Sequence, residues 1–162
     1  MRGDSLWYFA YGSNMSPATF LERRGMRPLE SRRAFVDGYR LSFDIPVGPG
    51  ERGVANLIVD AAARTHGVAY LVTSDAAEHL DRTEGVPHLY RRHAVELWLD
   101  DRAPRPGFTY RSPMTAGGRK PSARYLDLLL DGARHHDLPA EYLVYLERLE
   151  LAFDERIGGV RR

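Results

Sequence analysis

The chain has 162 residues, of which 43% are apolar and 28% charged, so it can bury a core as a single domain over residues 1–162. Lysine plus arginine number 23 and aspartate plus glutamate 22, a balance that gives no overall field to attract a nucleic acid or an anionic membrane. Cysteine is absent, which excludes disulfides, a thiol nucleophile and thiolate-bound zinc. The apolar run Leu6–Ala10 is shorter than a signal peptide requires, and we expect a soluble, cytoplasmic protein.

Aromatic, β-branched and alternating apolar residues predict a series of short strands. They lie at Leu6–Tyr11, Ala34–Phe43, Val54–Asp60, His66–Thr73, Arg91–Leu99 and Phe108–Arg111. Because both faces of His66–Thr73 are apolar, we expect this strand at the centre of a sheet. The short strand Phe108–Arg111 is expected at an edge.

Helices are predicted near the N-terminus, in the middle of the chain and in its last third. Ser16 and Pro17 open the first, as N-cap and first helical residue, and Gly25 ends it. Ser74 caps a second helix that extends through Asp81. Helical spacing predicts two more, one from Leu126, Leu129, Leu130 and Ala133 and one from Tyr142, Leu146, Leu149 and Phe153. This order indicates an α+β fold, a small mixed curled sheet or β-barrel with helices packed around it.

The loop between the first strand and the first helix is a candidate for ligand binding. It reads Tyr11-Gly12-Ser13-Asn14-Met15. Glycine lets a ligand approach the backbone, and successive N–H groups before a helix can bind a carboxylate or a phosphate. An ordinary strand-to-helix turn has the same composition, so the loop alone does not define a site. Ser13 is a poor candidate nucleophile, because its surroundings are not G-x-S-x-G and no histidine pattern accompanies it.

Glu84 is the candidate for proton transfer. The preceding helix has a narrow apolar face at Ala77 and Leu80, and four residues further this face reaches Glu84. Partial desolvation and the negative end of the helix dipole would raise the pKa of this carboxyl group, which suits it to exchange protons near pH 7. The alternative is that the helix ends at Asp81 or Arg82 and leaves Glu84 in solvent.

Two tyrosines can place hydroxyl groups near the same cavity. Tyr90 follows Glu84 by six positions, and Tyr125 flanks the leucine stripe of the helix that Ser122 caps. For both, the alternative is simple packing of the ring with its tip in water. Asp81 is expected to be an exposed carboxylate that pairs with an arginine.

Three motifs together resemble the γ-glutamylcyclotransferase family. The first is Tyr11-Gly12-Ser13-Asn14-Met15, where the family usually has leucine at the last position. The second is Glu84-Gly85 after a strand and a helix, with Tyr90 downstream. The third is Pro121-Ser122-Ala123-Arg124-Tyr125, followed by Gly132-Ala133 and Leu138-Pro139-Ala140-Glu141-Tyr142. The resemblance extends from residue 7 to about residue 150.

The resemblance implies an enzyme that converts a γ-glutamyl-amino acid or γ-glutamyl-amine into 5-oxoproline and the free amine. It implies that Glu84 is the general base and then the general acid, that the loop Tyr11–Met15 binds the substrate, and that Tyr90 and Tyr125 supply hydroxyl groups. The chemistry agrees with the composition. The substrate's own α-amino group attacks its γ-carbonyl, so no nucleophile from the enzyme is needed.

Two other functions fit the same residues. The first is a non-catalytic module that binds an acidic metabolite on this fold, although such a pocket gains nothing from a buried carboxylate. The second keeps the chemistry and changes the leaving amine: the enzyme removes a γ-glutamyl group from a biosynthetic intermediate, or acts on γ-glutamyl-amines from protein breakdown. The width of the pocket beyond the glutamyl group would distinguish these substrates.

No metal or other cofactor is expected. His135 and His136 are adjacent on a predicted helix and point about 100° apart, so they cannot readily chelate one ion. The other histidines show no ligand spacing. The expected partner is a small-molecule γ-glutamyl substrate, without nucleic acid or membrane, and the sequence leaves a homodimer open.

Overall fold

The computed structural model describes residues 4–99 and 103–153. Its main elements are β1 (Ser5–Ala10), β2 (Glu30–Pro46), β3 (Gly53–Thr73), α1 (Ser74–Thr83), β4 (Arg91–Leu97), β5 (Arg105–Arg111), α2 (Ala123–His135) and α3 (Ala140–Glu147). A 3₁₀ turn at Ser13–Met15 and a π-helical segment at Ala18–Arg23 lie between β1 and β2. The predicted α+β class is confirmed. No helix in the two described ranges is both long and apolar enough to span a membrane.

The strands form one curled sheet in the order β2-β3-β1-β5-β4. The sheet does not close into a barrel, but its two edges meet at one antiparallel bridge between Phe35 and Trp98, whose N–H and C=O groups pair at 3.0 Å. The central position predicted for His66–Thr73 is confirmed, since β3 lies between β2 and β1. The edge position predicted for Phe108–Arg111 is wrong, because β5 pairs with β1 on one side and with β4 on the other.

A long antiparallel hairpin of β2 and β3 makes up much of the sheet. The strands predicted at Val54–Asp60 and His66–Thr73 are parts of one strand, β3. The gap predicted between them is a bulge: Tyr39 pairs with Val59 and Asp37 with Arg64, so residues 60–63 face a single residue of β2. These four residues, one aspartate and three alanines, therefore interrupt the pairing without ending the strand.

The segment after the first loop forms a wider helical turn than predicted. Ala18–Arg23 is π-helical, and Pro17 precedes it as the N-cap residue. Ser16 does not cap this segment; its hydroxyl donates to a carboxylate oxygen of Asp131 on α2 at 2.9 Å. Gly25, with φ of 68°, follows the segment, and its predicted role in ending it is confirmed.

The ends of α1 and α3 also differ from the prediction. Thr73 rather than Ser74 caps α1, since the Thr73 hydroxyl accepts the N–H of Ala76 at 3.1 Å. The last helix, α3, has 8 residues, so Leu149 and Phe153 lie beyond it. Phe153 is 54% exposed and does not continue the buried stripe of that helix.

Helix α2 packs directly on the turn that follows β1. A Cβ atom at Gly132 would overlap the backbone carbonyl of Met15, so the close approach requires glycine at this position. The opposite face of the same turn meets the aromatic core, where Phe20 and Tyr70 stack with ring centroids 3.9 Å apart. These contacts fix the last turns of α2 against the loop, and the helix carries Tyr125 in its first turn.

Candidate active site

The loop Tyr11–Met15 leaves the end of β1 and is hydrogen-bonded to the sheet. The phenol of Tyr70 on β3 donates to the carbonyl of Asn14 at 2.8 Å. The N–H of Met15 donates to the carbonyl of Gly12 at 3.0 Å, so this N–H is consumed within the turn. This N–H is therefore not free to take part in the anion site predicted for the loop. The N–H groups of the three preceding residues are the candidates for that role.

Glu84 is the C-cap residue of α1, where the chain turns toward the sheet. Gly85 follows with φ of 70°, and the N–H of Val86 donates to the carbonyl of Asp81 at 3.1 Å. This is a Schellman ending, which positive φ at the glycine makes possible. Glu84 is 8% exposed, so its predicted burial is confirmed and the solvated alternative is wrong.

A network of three side chains orients the Glu84 carboxylate. Arg24 donates from Nε to Oδ1 of Asn14 at 2.7 Å, and because arginine can only donate, this contact fixes the orientation of the amide. Asn14 Nδ2 then donates to Oε2 of Glu84 at 3.1 Å and to the hydroxyl of Tyr8 at 2.9 Å. A second guanidinium nitrogen of Arg24 lies 3.5 Å from the same Oε2. Within the described ranges Oε1 has no hydrogen-bond partner, which leaves it to a ligand.

The electrostatic surroundings of Glu84 act in opposite directions. Burial raises the pKa of Glu84, since the charged form loses its hydration. The positive charge of Arg24 and the hydrogen bond from Asn14 lower it, and burial is the larger effect. The carboxyl group thus keeps a pKa above its ordinary value even though it has a cationic neighbour.

Two tyrosine hydroxyl groups bind the backbone of one strand residue, one as a hydrogen-bond acceptor and the other as a donor. A second bulge, in which Phe43 and Asp44 of β2 face Ala55 of β3, takes the backbone of Ala55 out of the ladder. The N–H of Ala55 donates to the hydroxyl of Tyr125 at 3.1 Å, whereas the hydroxyl of Tyr90 donates to the carbonyl of Ala55 at 3.0 Å. The hydroxyl hydrogen of Tyr90 is therefore used by the Ala55 carbonyl, whereas the hydroxyl of Tyr125 accepts at Ala55 and also interacts with the backbone and the side chain of Ser13.

These groups line one cavity of about 320 Å³. Every residue that the sequence analysis proposed for the site lines it except Met15, whose side chain is fully buried. The other lining residues are Tyr8, Arg23, Arg24, Val54, Ala55, Thr83, Leu89, Tyr110 and Leu128. The structure thus brings the loop, Glu84, Tyr90 and Tyr125 together around one space.

The sequence analysis missed Arg24 and Tyr110. Arg24 belongs to an arginine pair of the kind expected on a solvated surface. It is directed inward by the π-helical turn, in which the N–H of Arg24 donates to the carbonyl of Thr19 at 2.9 Å. Tyr110 lies in a predicted strand, where an aromatic side chain is expected to pack in the core. Its hydroxyl donates to Asp81 at 2.6 Å, and Asp81 also accepts Arg92 at 2.8 Å, which confirms the predicted pairing of Asp81 with an arginine.

The adjacent histidines of α2 lie behind the loop. In the parts of the chain that the structure describes, no group of three or more histidine, aspartate or glutamate side chains is placed to hold a metal ion. Burial lowers the pKa of His136 to about 4, and its Nε2 lies 3.5 Å from the hydroxyl of Tyr70. His136 is therefore neutral and supports the tyrosine that holds the loop.

A family model described as gamma-glutamyl cyclotransferase, AIG2-like, matches residues 8–127. The chain belongs to this family. Its fold agrees: a solved gamma-glutamyl cyclotransferase superposes with a TM-score of 0.82 over 91% of this chain and 89% of that one, at 22% identity.

Two curated relatives from fungi carry the same family name. Gamma-glutamyl cyclotransferase gliK of Claviceps purpurea is 38% identical over 140 residues, which cover 79% of this chain and 63% of that protein. Gamma-glutamyl cyclotransferase aclK of Aspergillus oryzae is 30% identical over an alignment 182 residues long. The alignment covers 95% of this chain and 67% of that protein. The chain therefore spans less than two thirds of the Claviceps relative and about two thirds of the Aspergillus one.

Proposed function

We propose that the protein is a γ-glutamyl cyclotransferase that converts a γ-glutamyl-amino acid or γ-glutamyl-amine into 5-oxoproline and the free amine. The observation that carries this proposal is the buried carboxyl group of Glu84, bonded to Asn14 of the loop at 3.1 Å and facing the cavity. Among the residues of the described ranges that line this cavity, Glu84 is the one with an acidic side chain. Family membership supports the reaction class.

Glu84 moves protons between two nitrogens of the substrate. Its Oε1 accepts a proton from the α-ammonium group, and the freed nitrogen attacks the γ-carbonyl carbon and closes a five-membered ring. The bond from that carbon to the leaving nitrogen then breaks, and Glu84 returns the proton to this nitrogen. The ring nitrogen then releases its second proton and the leaving amine takes up one more, so that the amine departs as an ammonium ion and the number of protons is unchanged. Substrate and products contain the same atoms, so the reaction consumes no water and needs no redox cofactor.

The remaining cavity residues hold the substrate folded for ring closure. The N–H groups of Gly12–Asn14 bind the α-carboxylate, and the hydroxyl of Tyr125 donates to the γ-carbonyl oxygen as negative charge develops on it. Burial raises the pKa of Tyr125, so this phenol keeps its proton at neutral pH. Tyr90 and Tyr11 serve as walls, because their hydroxyl hydrogens are used by the carbonyls of Ala55 and Tyr110.

The alternative of a non-catalytic module for an acidic metabolite has less support. A buried carboxylate in the cavity repels an anionic ligand unless that ligand also brings a cationic group. The α-ammonium of a γ-glutamyl compound is such a group, and only the enzymatic reaction uses the proton it carries.

The test is incubation of the purified protein with γ-glutamyl-alanine, glutathione and γ-glutamyl-ε-lysine. We expect 5-oxoproline and free amine in a one-to-one ratio from at least one of them, with no oxygen from labelled water in the 5-oxoproline. Release of glutamate would instead identify a hydrolase, and the absence of any product from all three would contradict the proposal.

The pH profile provides a further test of Glu84 as the base. Because the base must be ionised to accept a proton, kcat/KM should rise as pH increases through the pKa of Glu84. Arg24→Gln removes a charge that lowers this pKa, so we expect the acidic limb to move to higher pH. Arg27→Gln is the matched control, since Arg27 donates to the carbonyls of Leu21 and Met26. An acidic limb that stays in place in Arg24→Gln would argue against this assignment.

A further inference from the structure

A second cavity, of about 390 Å³, adjoins the proposed active site. Arg23, Val54, Tyr125 and Leu128 line both cavities and form the wall between them. Tyr125 is the proposed donor to the γ-carbonyl oxygen, so a group attached to that carbonyl carbon lies beside this wall. The second cavity is therefore placed to receive the leaving amine, an inference that rests on the proposed function.

Basic side chains line the second cavity, and none of its lining residues within the described ranges is acidic. Arg23 comes from the π-helical segment, Arg52 from the loop between β2 and β3, and Arg124 from the first turn of α2. Arg23 and Arg124 are exposed, and neither has an ion-pair partner within residues 4–99 and 103–153. The whole chain has nearly equal numbers of bases and acids, 23 against 22, so this local excess is a property of the cavity.

We propose that Arg23 and Arg124 bind a carboxylate on the leaving amine. Guanidinium groups pair with carboxylates through charge-assisted hydrogen bonds, and two arginines from different elements can hold one carboxylate between them. Selection then follows from charge. The enzyme favours γ-glutamyl-amino acids and peptides, in which the leaving amine carries a carboxylate, over γ-glutamyl-amines without one, and it disfavours cationic leaving amines most.

The test compares γ-glutamyl-alanine with γ-glutamyl-alaninamide, which have the same shape and differ by one charge. We expect the wild type to have a kcat/KM about tenfold higher for the acid than for the amide. This factor is the contribution expected from two partly exposed ion pairs. The double variant R23Q/R124Q should reduce this ratio to about one, and added salt should reduce it in the wild type. The control is Arg148→Gln, which removes an exposed positive charge beyond α3 from a residue that lines neither cavity; its ratio should match the wild type.

The outcomes separate this inference from the proposed function. If 5-oxoproline forms from both compounds at equal rates, or if the preference for the acid survives in the double variant, the binding role of Arg23 and Arg124 is overturned while the reaction stands. If neither compound yields 5-oxoproline, the inference is overturned, while the reaction is judged by the outcome with glutathione and γ-glutamyl-ε-lysine. A preference for the amide would also overturn the inference.

Discussion

Glu84→Gln is expected to lower kcat for 5-oxoproline formation by about 10³-fold, the middle of the range for loss of a general acid–base group. The amide has the size of the carboxyl group and can still contact Asn14, so the cavity should keep its shape. It cannot accept a proton from the α-ammonium group. Substrate affinity should change little, because the carboxyl group acts on the substrate's protons and does not provide its main anchor.

The control for this variant is Glu78→Gln. Glu78 lies on the same helix and is exposed, so the substitution makes the same chemical change away from the cavity. We expect wild-type turnover from it. Measurement of 5-oxoproline by chromatography, together with the thermal midpoint of each variant, separates chemistry from folding. Turnover by Glu84→Gln within tenfold of the wild type would remove the basis of the proposed mechanism.

Tyr125→Phe is expected to lower kcat by about 10²-fold, as removal of one oxyanion donor does in other enzymes. The reason is the polarity of its hydrogen bond to the strand: the hydroxyl accepts the N–H of Ala55, so Ala55 does not use its hydrogen, which can turn from Ser13 to the γ-carbonyl oxygen. The interaction strengthens as charge develops on that oxygen, so the loss should be found in kcat more than in KM.

Tyr90→Phe is the matched comparison for Tyr125→Phe. Each substitution leaves one backbone group of Ala55 without its partner and should cost similar stability, about 1–3 kcal/mol. The hydroxyl hydrogen of Tyr90 is already used by a carbonyl, so its loss should reduce kcat by less than tenfold. Steady-state kinetics on both variants test this expectation. Equal losses of kcat would show that Tyr125 only lines the cavity and does not donate to the substrate.

Local patterns in the sequence indicate the position of Glu84, provided that the helix extends past Arg82. The apolar spacing of Ala77 and Leu80 fixes one face of α1, and the following glycine marks its end, so burial of the next residue on that face follows from helix geometry. The same reasoning works for the strand before the loop. These features depend on neighbours a few positions away in the chain.

The rest of the site depends on register and on contacts between distant segments. Alternation of residues in β3 gives no sign that a bulge in β2 exposes the backbone of Ala55, yet this bulge gives Tyr90 and Tyr125 their opposite polarities. Arg24 shows the same limit, because a helical period of 3.6 residues does not anticipate a π-helical turn. Its inward direction follows from tertiary packing.

The contact between Gly132 and Met15 has a consequence for the order in which the cavity is assembled during synthesis. A nascent chain that has emerged only as far as residue 127, where the matched family region ends, already carries the loop and Glu84. It lacks the rest of the helix that must settle on Met15, so the loop has no rigid support on that side. The loop therefore gains its support from α2 only after residues 128–135 have completed the helix, when every proposed catalytic group has already been made.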